Sequence, residues 1–273
     1  MRALRNLVLL VCLAATAACQ TPMPGDGATP EDPLHDIIAS GVLRVGLSAD
    51  QPPFNMRTRS GEIVGFDVDL AVALASAMGL EATVVPMAFA ELLPSLETQK
   101  IDIVISAMTI TPQRNAHVPF AGPYYVSGTS ALTKSDELAH IAEMGELNAP
   151  GRRYAAVAGT SNETFAKEQF PLTTLISTRD FDEAVLLVLN DEVDAVLADF
   201  PLCRYAAMVH PEAGFSDLMT PFTVEPLGVA IRADAPLLVN LIDNYLDTLE
   251  YAGILGQFKA RWLGDDDWLE SMP

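Results

Sequence analysis

The chain has 273 residues, and its 36 acidic side chains outnumber 16 basic ones to give a formal net charge of −20 at pH 7. Such an acidic chain lacks the basic face that phosphate backbones require, so its composition argues against nucleic acid as a partner. Half of its residues are hydrophobic, which is enough to build one large domain or two lobes with real cores.

Residues 1–18 are predicted to be an export signal. Arg2 and Arg5 precede an apolar run from Leu7 to Ala15, which is shorter than the roughly 20 residues that a membrane span needs. The run leads to TAAC, which resembles a lipobox and predicts that Cys19 carries lipid. An ordinary secretory signal cleaved nearby is the alternative. We therefore expect a periplasmic or cell-surface protein that is held to a membrane through Cys19.

Residues 19–33 are predicted to form a flexible tether. They are rich in Pro, Gly and Asp and contain no aromatic residue, so they cannot bury a core. Beyond the signal and Cys19, Cys203 is the one cysteine left, and no internal disulfide is expected. Cys203 lies in an apolar, helix-like segment, and we interpret it as a small buried residue and not as a nucleophile.

The rest of the chain alternates between strand and helix patterns. Val42–Ser48 and Ile101–Ala107 are typical of strands, and Asp67–Met78 carries apolar residues at helical spacing. The second half repeats this alternation. Two extended segments, residues 123–134 and 220–232, lie where the chain would cross between two such units. The pattern therefore predicts an α/β protein with parallel strands, two lobes, a hinge and a cleft between the lobes.

The order of these segments also predicts how the chain is divided. Residues 34–127 are expected to form the first part of lobe one, and residues 128–224 to form lobe two. Residues 225–273 are expected to return to lobe one and to add the C-terminal helices. Such a double crossing is typical of proteins that close over a ligand at a hinge.

The turn SAMTITPQR, Ser106–Arg114, is the segment that points most directly to a ligand. It follows a predicted buried strand, and open α/β sheets bind ligands at the carboxyl ends of their strands. The guanidinium of Arg114 offers a planar fork of donors to a carboxylate. The remaining lone pairs of that carboxylate can accept from Thr109, Thr111 and nearby backbone N–H groups. An exposed loop arginine with a solvated partner is the alternative.

Three segments together resemble the polar amino-acid branch of periplasmic solute-binding proteins of ABC transporters, bacterial extracellular solute-binding protein family 3. They are Gly61–Met78, Glu91–Arg114 and Pro119–Tyr125, and the similarity runs from about Val42 to Trp262. The resemblance implies a periplasmic-binding-protein type II fold, in which two α/β lobes are joined by a two-strand hinge with the ligand cleft between them. It also implies a free amino acid as ligand, ABC permease subunits as partners, a monomer and no cofactor or metal.

The resemblance implies a set of residues that bind the ligand's backbone atoms. Arg114 is expected to bind the α-carboxylate. Thr109 is expected to lie beside it, and Ala107 is expected to contribute backbone contacts. The turn after the first strand of lobe two adds donors to the same carboxylate, among them Thr160 and Ser161. A turn that opens a helix suits this role because its N–H groups are unpaired and point outward.

The resemblance implies that Asp199 binds the ligand's α-ammonium. The residues themselves agree, because Asp199 ends an apolar run, VDAVLAD. An unpaired charge there would cost several kcal/mol unless a cation neutralised it.

The predicted side-chain pocket departs from the family's common pattern at two positions. In the family, an acidic residue is frequent at the position of Ser48, and an aromatic residue is frequent at the position of Gln51. Phe89 agrees with the family pattern, which has an aromatic or large apolar residue at that position. The missing carboxylate favours an uncharged or small polar amino acid over lysine or arginine. Asp50 or Glu91 would reverse this preference if either pointed inward, and a core role is the alternative for Phe89.

The predicted function is a non-catalytic receptor that captures an amino acid by lobe closure and delivers it to an ABC importer. Two alternatives remain open. Cyclohexadienyl dehydratases resemble this family and would need a general acid inside the cleft, and the four histidines show no clustering that would supply one. A ligand-sensing subunit of a signalling system is the other. The identity of the amino acid is not predicted.

Overall fold

The computed structural model describes residues 32–141, 144–217, 221–264 and 268–269. Cys19, the predicted signal and nearly all of the predicted tether lie outside the described residues. Across the described ranges, no helix combines the length and the apolar character that a membrane crossing requires.

The strands are numbered in chain order. They are β1 (Val42–Leu47), β2 (Asp50–Gln51), β3 (Asn55–Arg57), β4 (Ile63–Val64), β5 (Glu81–Pro86), β6 (Ile103–Val104), β7 (Phe120–Ser127), β8 (Thr129–Thr133), β9 (Arg153–Val157), β10 (Thr174–Thr178), β11 (Ala195–Asp199), β12 (Ser216–Asp217) and β13 (Glu225–Ile231).

The α-helices of the described residues are numbered in the same way. They are α1 (Pro33–Ser40), α2 (Phe66–Ala77), α3 (Leu92–Glu97), α4 (Pro112–Asn115), α5 (Asp136–Ala139), α6 (Ser161–Gln169), α7 (Phe181–Leu189), α8 (Phe200–Val209), α9 (Pro236–Tyr251) and α10 (Ile254–Lys259). Short 3₁₀ segments cover Phe89–Glu91, Met144–Leu147 and Pro211–Ala213, and Ala260–Gly264 forms one π-helical turn.

Lobe one is built on a five-stranded sheet in the order β5-β1-β6-β13-β7. β1 pairs in parallel with β5 and β6, whereas β13 pairs antiparallel with β6 and β7. The small antiparallel sheet β2-β3-β4 extends this lobe. The parallel strands place their carboxyl ends, and the loops that follow them, at one edge of the sheet.

Lobe two repeats this plan with a second five-stranded sheet in the order β10-β9-β11-β8-β12. β9 pairs in parallel with β10 and β11, and β8 pairs antiparallel with β11 and β12. Its central strand β11 is buried along its whole length, as a near-continuous apolar run predicts.

Two neighbouring segments connect the lobes. One passes from β7 to β8 through Gly128, and the other leads into β13 through Thr223. A side chain at Gly128 would place its Cβ 2.1 Å from the carbonyl oxygen of Thr223, so only glycine allows the segments to lie this close. The Thr129 N–H also donates to Thr223 Oγ1 over 2.8 Å. The predicted α/β fold with two lobes and a two-strand hinge is thereby confirmed.

One predicted strand is shorter than expected. The apolar run Ile101–Ala107 was predicted as a strand over its full length, but only Ile103–Val104 pairs in the sheet. The residues that follow turn away at once, and Ala107 adopts a φ of +44°. Burial on both sides accounts for the long apolar run, because Ile101 and Ile105 are fully buried without belonging to the strand.

Candidate functional site

A small cavity lies between the lobes, at the edge where the strands of both sheets end. Its volume is about 20 Å³, which is enough for about one water molecule. An amino acid can therefore enter only if the lobes separate. The lining residues come from both lobes and are Gln51, Phe89, Ala107, Thr109, Val157, Thr160, Ser161, Asn162, Phe181, Leu197, Ala198, Asp199 and Leu202.

Arg114 lies at the rim of this cavity, on the short helix α4. Thr111 caps the helix by accepting from the Arg114 N–H over 3.2 Å. The guanidinium donates through Nη1 to the carbonyl of Thr109 (2.8 Å) and through Nη2 to the carbonyl of Gly159 in lobe two (2.9 Å). It also lies 5.5 Å from the centroid of the Phe89 ring. Arg114 therefore joins the two lobes and faces an aromatic wall of the cavity.

Asp199 ends β11 and caps the start of α8 on the opposite side of the cavity, where it is 6% exposed. Asn162 Nδ2 donates to Oδ1 over 2.8 Å, whereas Oδ2 accepts no well-formed hydrogen bond and lies near the Ser127 hydroxyl. Burial, followed by the charge of Glu225, raises the pKa of Asp199 to about 7, although the interactions with Asn162, Ser127 and Arg114 act in the opposite direction. A cationic group at this place would satisfy the open oxygen and stabilise the charged carboxylate.

Glu225, at the start of β13, lies close to the cavity and accepts from four hydroxyl groups. Thr109 Oγ1 (2.7 Å) and Ser161 Oγ (2.5 Å) donate to Oε2. Thr129 Oγ1 (2.5 Å) and Thr223 Oγ1 (2.9 Å) donate to Oε1. Burial raises the pKa of Glu225, but the four donors lower it by more, so it lies below its usual value. Glu225 is therefore a buried, charged residue that contacts both lobes.

Glu225 is not among the site residues that the sequence predicts. It lies in the segment TPFTVEPLGVAIR, which was interpreted only as an extended crossing. One available signal was its charge, because an acidic residue in an apolar crossing strand needs buried donors. Its donors Thr109 and Ser161 are 116 and 64 positions away along the chain.

The turn before α6 holds two further predicted residues at the cavity. The Thr160 hydroxyl accepts from the Glu163 N–H over 3.1 Å and donates to the carbonyl of Val157 over 2.7 Å, so it caps the helix. Ser161 is the first residue of α6, and N–H groups in a first turn have no partner within the helix. These N–H groups, with Arg114, form the cationic side of the site.

Ser48 does not line the cavity, in contrast to the other predicted pocket residues Gln51 and Phe89. Its hydroxyl donates to Asn55 Oδ1 over 3.2 Å, and its N–H donates to Ser106 Oγ over 3.0 Å. Ser48 therefore supports the loop behind the cavity wall.

Asp67 lies inside lobe one and supports the loops that form the cavity wall. Its Oδ2 accepts from Asn55 Nδ2 (2.7 Å) and from the Ala107 N–H (2.9 Å), and its Oδ1 accepts from the Tyr124 hydroxyl (2.9 Å). Burial raises its pKa to about 6, against the effect of these donors. Asp67 fixes the left-handed turn at Ala107 and, through Asn55, the one at Ala49. From the sequence, Asp67 is predicted only to stand at the start of a helix.

Beside Gln51, the cavity lining includes several apolar side chains. Phe181, Leu197 and Leu202 are among them, and neither Asp50 nor Glu91 belongs to the lining. Asp50 instead faces the start of α7, where burial, followed by the charges of Asp180 and Asp182, raises its pKa to about 6.

The geometry defines a class of protein: two lobes that close on a small ligand, with an arginine on one side of the cavity and a half-paired carboxylate on the other. The chain belongs to the bacterial extracellular solute-binding proteins, family 3, whose model matches residues 43–265. This membership confirms the predicted resemblance, the type II periplasmic-binding-protein fold and a periplasmic location.

Relatives with known roles fall into two groups. The chain is 31% identical over 230 residues to ABC transporter arginine-binding protein 1 of Escherichia coli K12, covering 82% of this chain and 91% of the relative. It is 28% identical over 263 residues to cyclohexadienyl dehydratase of Pseudomonas aeruginosa PAO1, covering 96% of both chains.

Among solved structures, it matches an ancestral amino-acid-binding protein described as a precursor of cyclohexadienyl dehydratase, with a TM-score of 0.76 and 35% identity. That match covers 84% of this chain and 98% of the other. Binding proteins and an enzyme thus share this fold.

Proposed function

We propose that this protein captures an amino acid by closing its lobes and delivers it to an ABC importer. The single observation that carries the proposal is Asp199, a buried carboxylate that lines the cavity with one oxygen that accepts no well-formed hydrogen bond. An α-ammonium group would supply both the charge and the donor that this oxygen needs.

Arg114 completes the recognition of a zwitterion. Burial lowers the pKa of Arg114, while Glu225 and Asp199 act to raise it, and the side chain keeps its charge because arginine stays protonated in proteins. A ligand carboxylate would replace the carbonyls of Thr109 and Gly159 as acceptors for the guanidinium. Since Arg114 belongs to lobe one and Asp199 to lobe two, a zwitterion that pairs with both would contact both lobes and favour a closed arrangement.

The side chain of the ligand is proposed to be uncharged or polar. The cavity offers it the amide of Gln51 and apolar surface, and the carboxylates of Asp50 and Glu91 lie outside the lining. Arginine-binding relatives argue for including basic ligands in any test. Lipid on Cys19 is proposed to hold the protein at the membrane, where its acidic lobes would meet permease subunits.

A second candidate is a dehydratase activity on the same site. The observation that favours it is the pKa of Asp199, raised to about 7 by burial and by Glu225, because a carboxyl group that keeps its proton near neutral pH is able to act as a general acid. A dehydratase relative that aligns along 96% of this chain also supports it.

A thermal-shift screen tests both candidates. The mature chain from position 19, with Cys19→Ser to prevent lipidation, is melted with each of the twenty amino acids and with prephenate and arogenate. A ligand at 100 times its Kd adds about 2.7 kcal/mol to the unfolding free energy. We expect one amino acid, or a few related ones, to raise the Tm, and Arg114→Ala to remove the rise. Product formation from prephenate or arogenate would favour the enzyme, and no response to any compound would contradict both candidates.

A further inference from the structure

Glu225 stands where the two lobes and the two crossing segments meet. Thr109 belongs to lobe one, Ser161 opens α6 in lobe two, and Thr129 and Thr223 lie on the two crossings. All four hydroxyls donate to this one carboxylate. The geometry of Thr109 and Ser161 is the important part, because both also line the cavity.

The protons of these two hydroxyls have defined directions. A hydroxyl group carries one proton and two lone pairs. Thr109 Oγ1 and Ser161 Oγ lie 2.7 and 2.5 Å from the same oxygen of Glu225, and contacts this short between a hydroxyl and a carboxylate oxygen require a proton between them. Both protons are therefore directed to Glu225, and neither hydroxyl has a proton left for a ligand.

The same two oxygens lie 3.0 Å from each other. Since both protons are directed to Glu225, the remaining lone pairs of the two hydroxyls are available to a donor in the cavity. Asp199 lines the same cavity, and its Oδ2 accepts no well-formed hydrogen bond. The lining thus presents two hydroxyl oxygens and a carboxylate as acceptors, whereas Arg114 and the backbone N–H groups of the first turn of α6 offer donors.

We propose that Glu225 is a positioning residue that turns Thr109 and Ser161 into hydrogen-bond acceptors for the ligand's ammonium group. The site then selects an α-amino acid over the same carboxylic acid without its amino group. This inference rests on the proposed amino-acid binding, and it reassigns Thr109 and Ser161, which were expected to contact the ligand's carboxylate.

The test compares two ligands on each variant. The ligands are the amino acid that binds best in the twenty-member screen and its deamino analogue, in which hydrogen replaces the amino group. Their Kd values are measured by calorimetry on the mature Cys19→Ser chain, and the ratio of the two is the readout. Both ligands need lobe closure, so a defect of the hinge weakens both by the same factor and leaves the ratio unchanged.

Two substitutions of Glu225 probe the acceptor. Glu225→Met keeps much of the volume but removes every acceptor, which frees both hydroxyl protons to turn toward the cavity. We expect the ratio to fall about tenfold or more, since hydrogen bonds to charged groups have at least this effect. Glu225→Gln keeps the shape and one neutral acceptor oxygen, so we expect a smaller fall in the same direction, and this variant decides the question if Glu225→Met does not fold.

Thr223→Val is the matched control. It removes a donor to the other oxygen of Glu225 and does not touch the cavity lining, so the ratio should stay at its wild-type value. An unchanged ratio in both Glu225 variants would overturn the inference and leave Glu225 as a hinge residue. Failure of the wild-type chain to bind any amino acid would instead overturn the proposed function itself.

Discussion

Two buried aspartates of this protein have the same chemistry but different surroundings. Asp67 lies in the core of lobe one, where three donors occupy both of its oxygens. Asp199 lies at the cavity, where one oxygen accepts from Asn162 and the other accepts no well-formed hydrogen bond, although the Ser127 hydroxyl lies near it. Burial is the main cause that raises the pKa of each, to about 6 for Asp67 and about 7 for Asp199.

The difference lies in how far the protein itself satisfies each carboxylate. A buried carboxylate with a full set of donors stabilises the loops that supply those donors. A half-satisfied one costs stability and persists where a ligand completes it. Asp67 thus supports the cavity wall, and the surroundings of Asp199 agree with the proposal that Asp199 binds the ligand.

The largest expected effect comes from removing the structural carboxylate. Asp67→Ala would leave Asn55 Nδ2, the Tyr124 hydroxyl and the Ala107 N–H buried without their acceptor. We expect the unfolding free energy to fall by about 3 kcal/mol or more, since each such group costs about 1–3 kcal/mol. Urea denaturation of both chains measures this, and a loss below about 1 kcal/mol would show that Asp67 does not organise the wall.

Asp199→Asn should separate binding from stability. The amide can accept a hydrogen bond from an ammonium group but has no negative charge to neutralise it, so we expect the affinity for the amino acid to fall about 100-fold. The amide also removes a buried charge, so the unfolding free energy at pH 8 should rise. Calorimetric titration measures the loss of affinity, and thermal melts of the same sample measure the gain in stability. If Asp199→Asn were less stable than wild type at pH 8, the contrast between Asp199 and Asp67 would be contradicted.

The stability of the free protein should decrease as pH rises from about 4 to about 7. The pKa of Asp199 is higher in the folded than in the unfolded chain, so between these values the folded state holds a proton that the unfolded state has lost. Its contribution to the decrease between pH 5 and pH 8 is about 3 kcal/mol. Denaturation of wild type and Asp199→Asn at both pH values isolates the contribution of Asp199. Equal decreases of the unfolding free energy in the two proteins would show that Asp199 does not cause the decrease.

The smallest expected effect concerns the ring beside Arg114. Phe89→Leu removes the ring that lies 5.5 Å from the guanidinium, and we expect affinity to fall about threefold, the value of a partly exposed cation–π contact. Phe89→Tyr keeps the ring and serves as the control. A Phe89→Leu protein with wild-type affinity would assign Phe89 to the core alone.

The sequence predicted the parts that depend on local pattern. Alternating strand and helix signals were enough for the two lobes, and the turn at Ser106–Arg114 placed Arg114 at the cavity rim. Glu225 and Asp67 were missed as site residues because their roles depend on donors that fold next to them from distant segments. Ser48 lies outside the cavity lining, where contacts with Asn55 and Ser106 that the local sequence pattern does not reveal hold it.

Proton release during binding tests the role of Asp199 most directly. Calorimetric titration of the amino acid at pH 7, in two buffers with different ionisation enthalpies, gives the number of protons released per ligand. With a pKa of about 7, Asp199 carries a proton in about half of the free molecules at pH 7. This proton must leave before the carboxylate pairs with an ammonium group. We therefore expect about half a proton to be released per bound ligand in wild type and none in Asp199→Asn. Binding without proton release in wild type, or the same release in Asp199→Asn, would contradict Asp199 as the group that holds the ammonium.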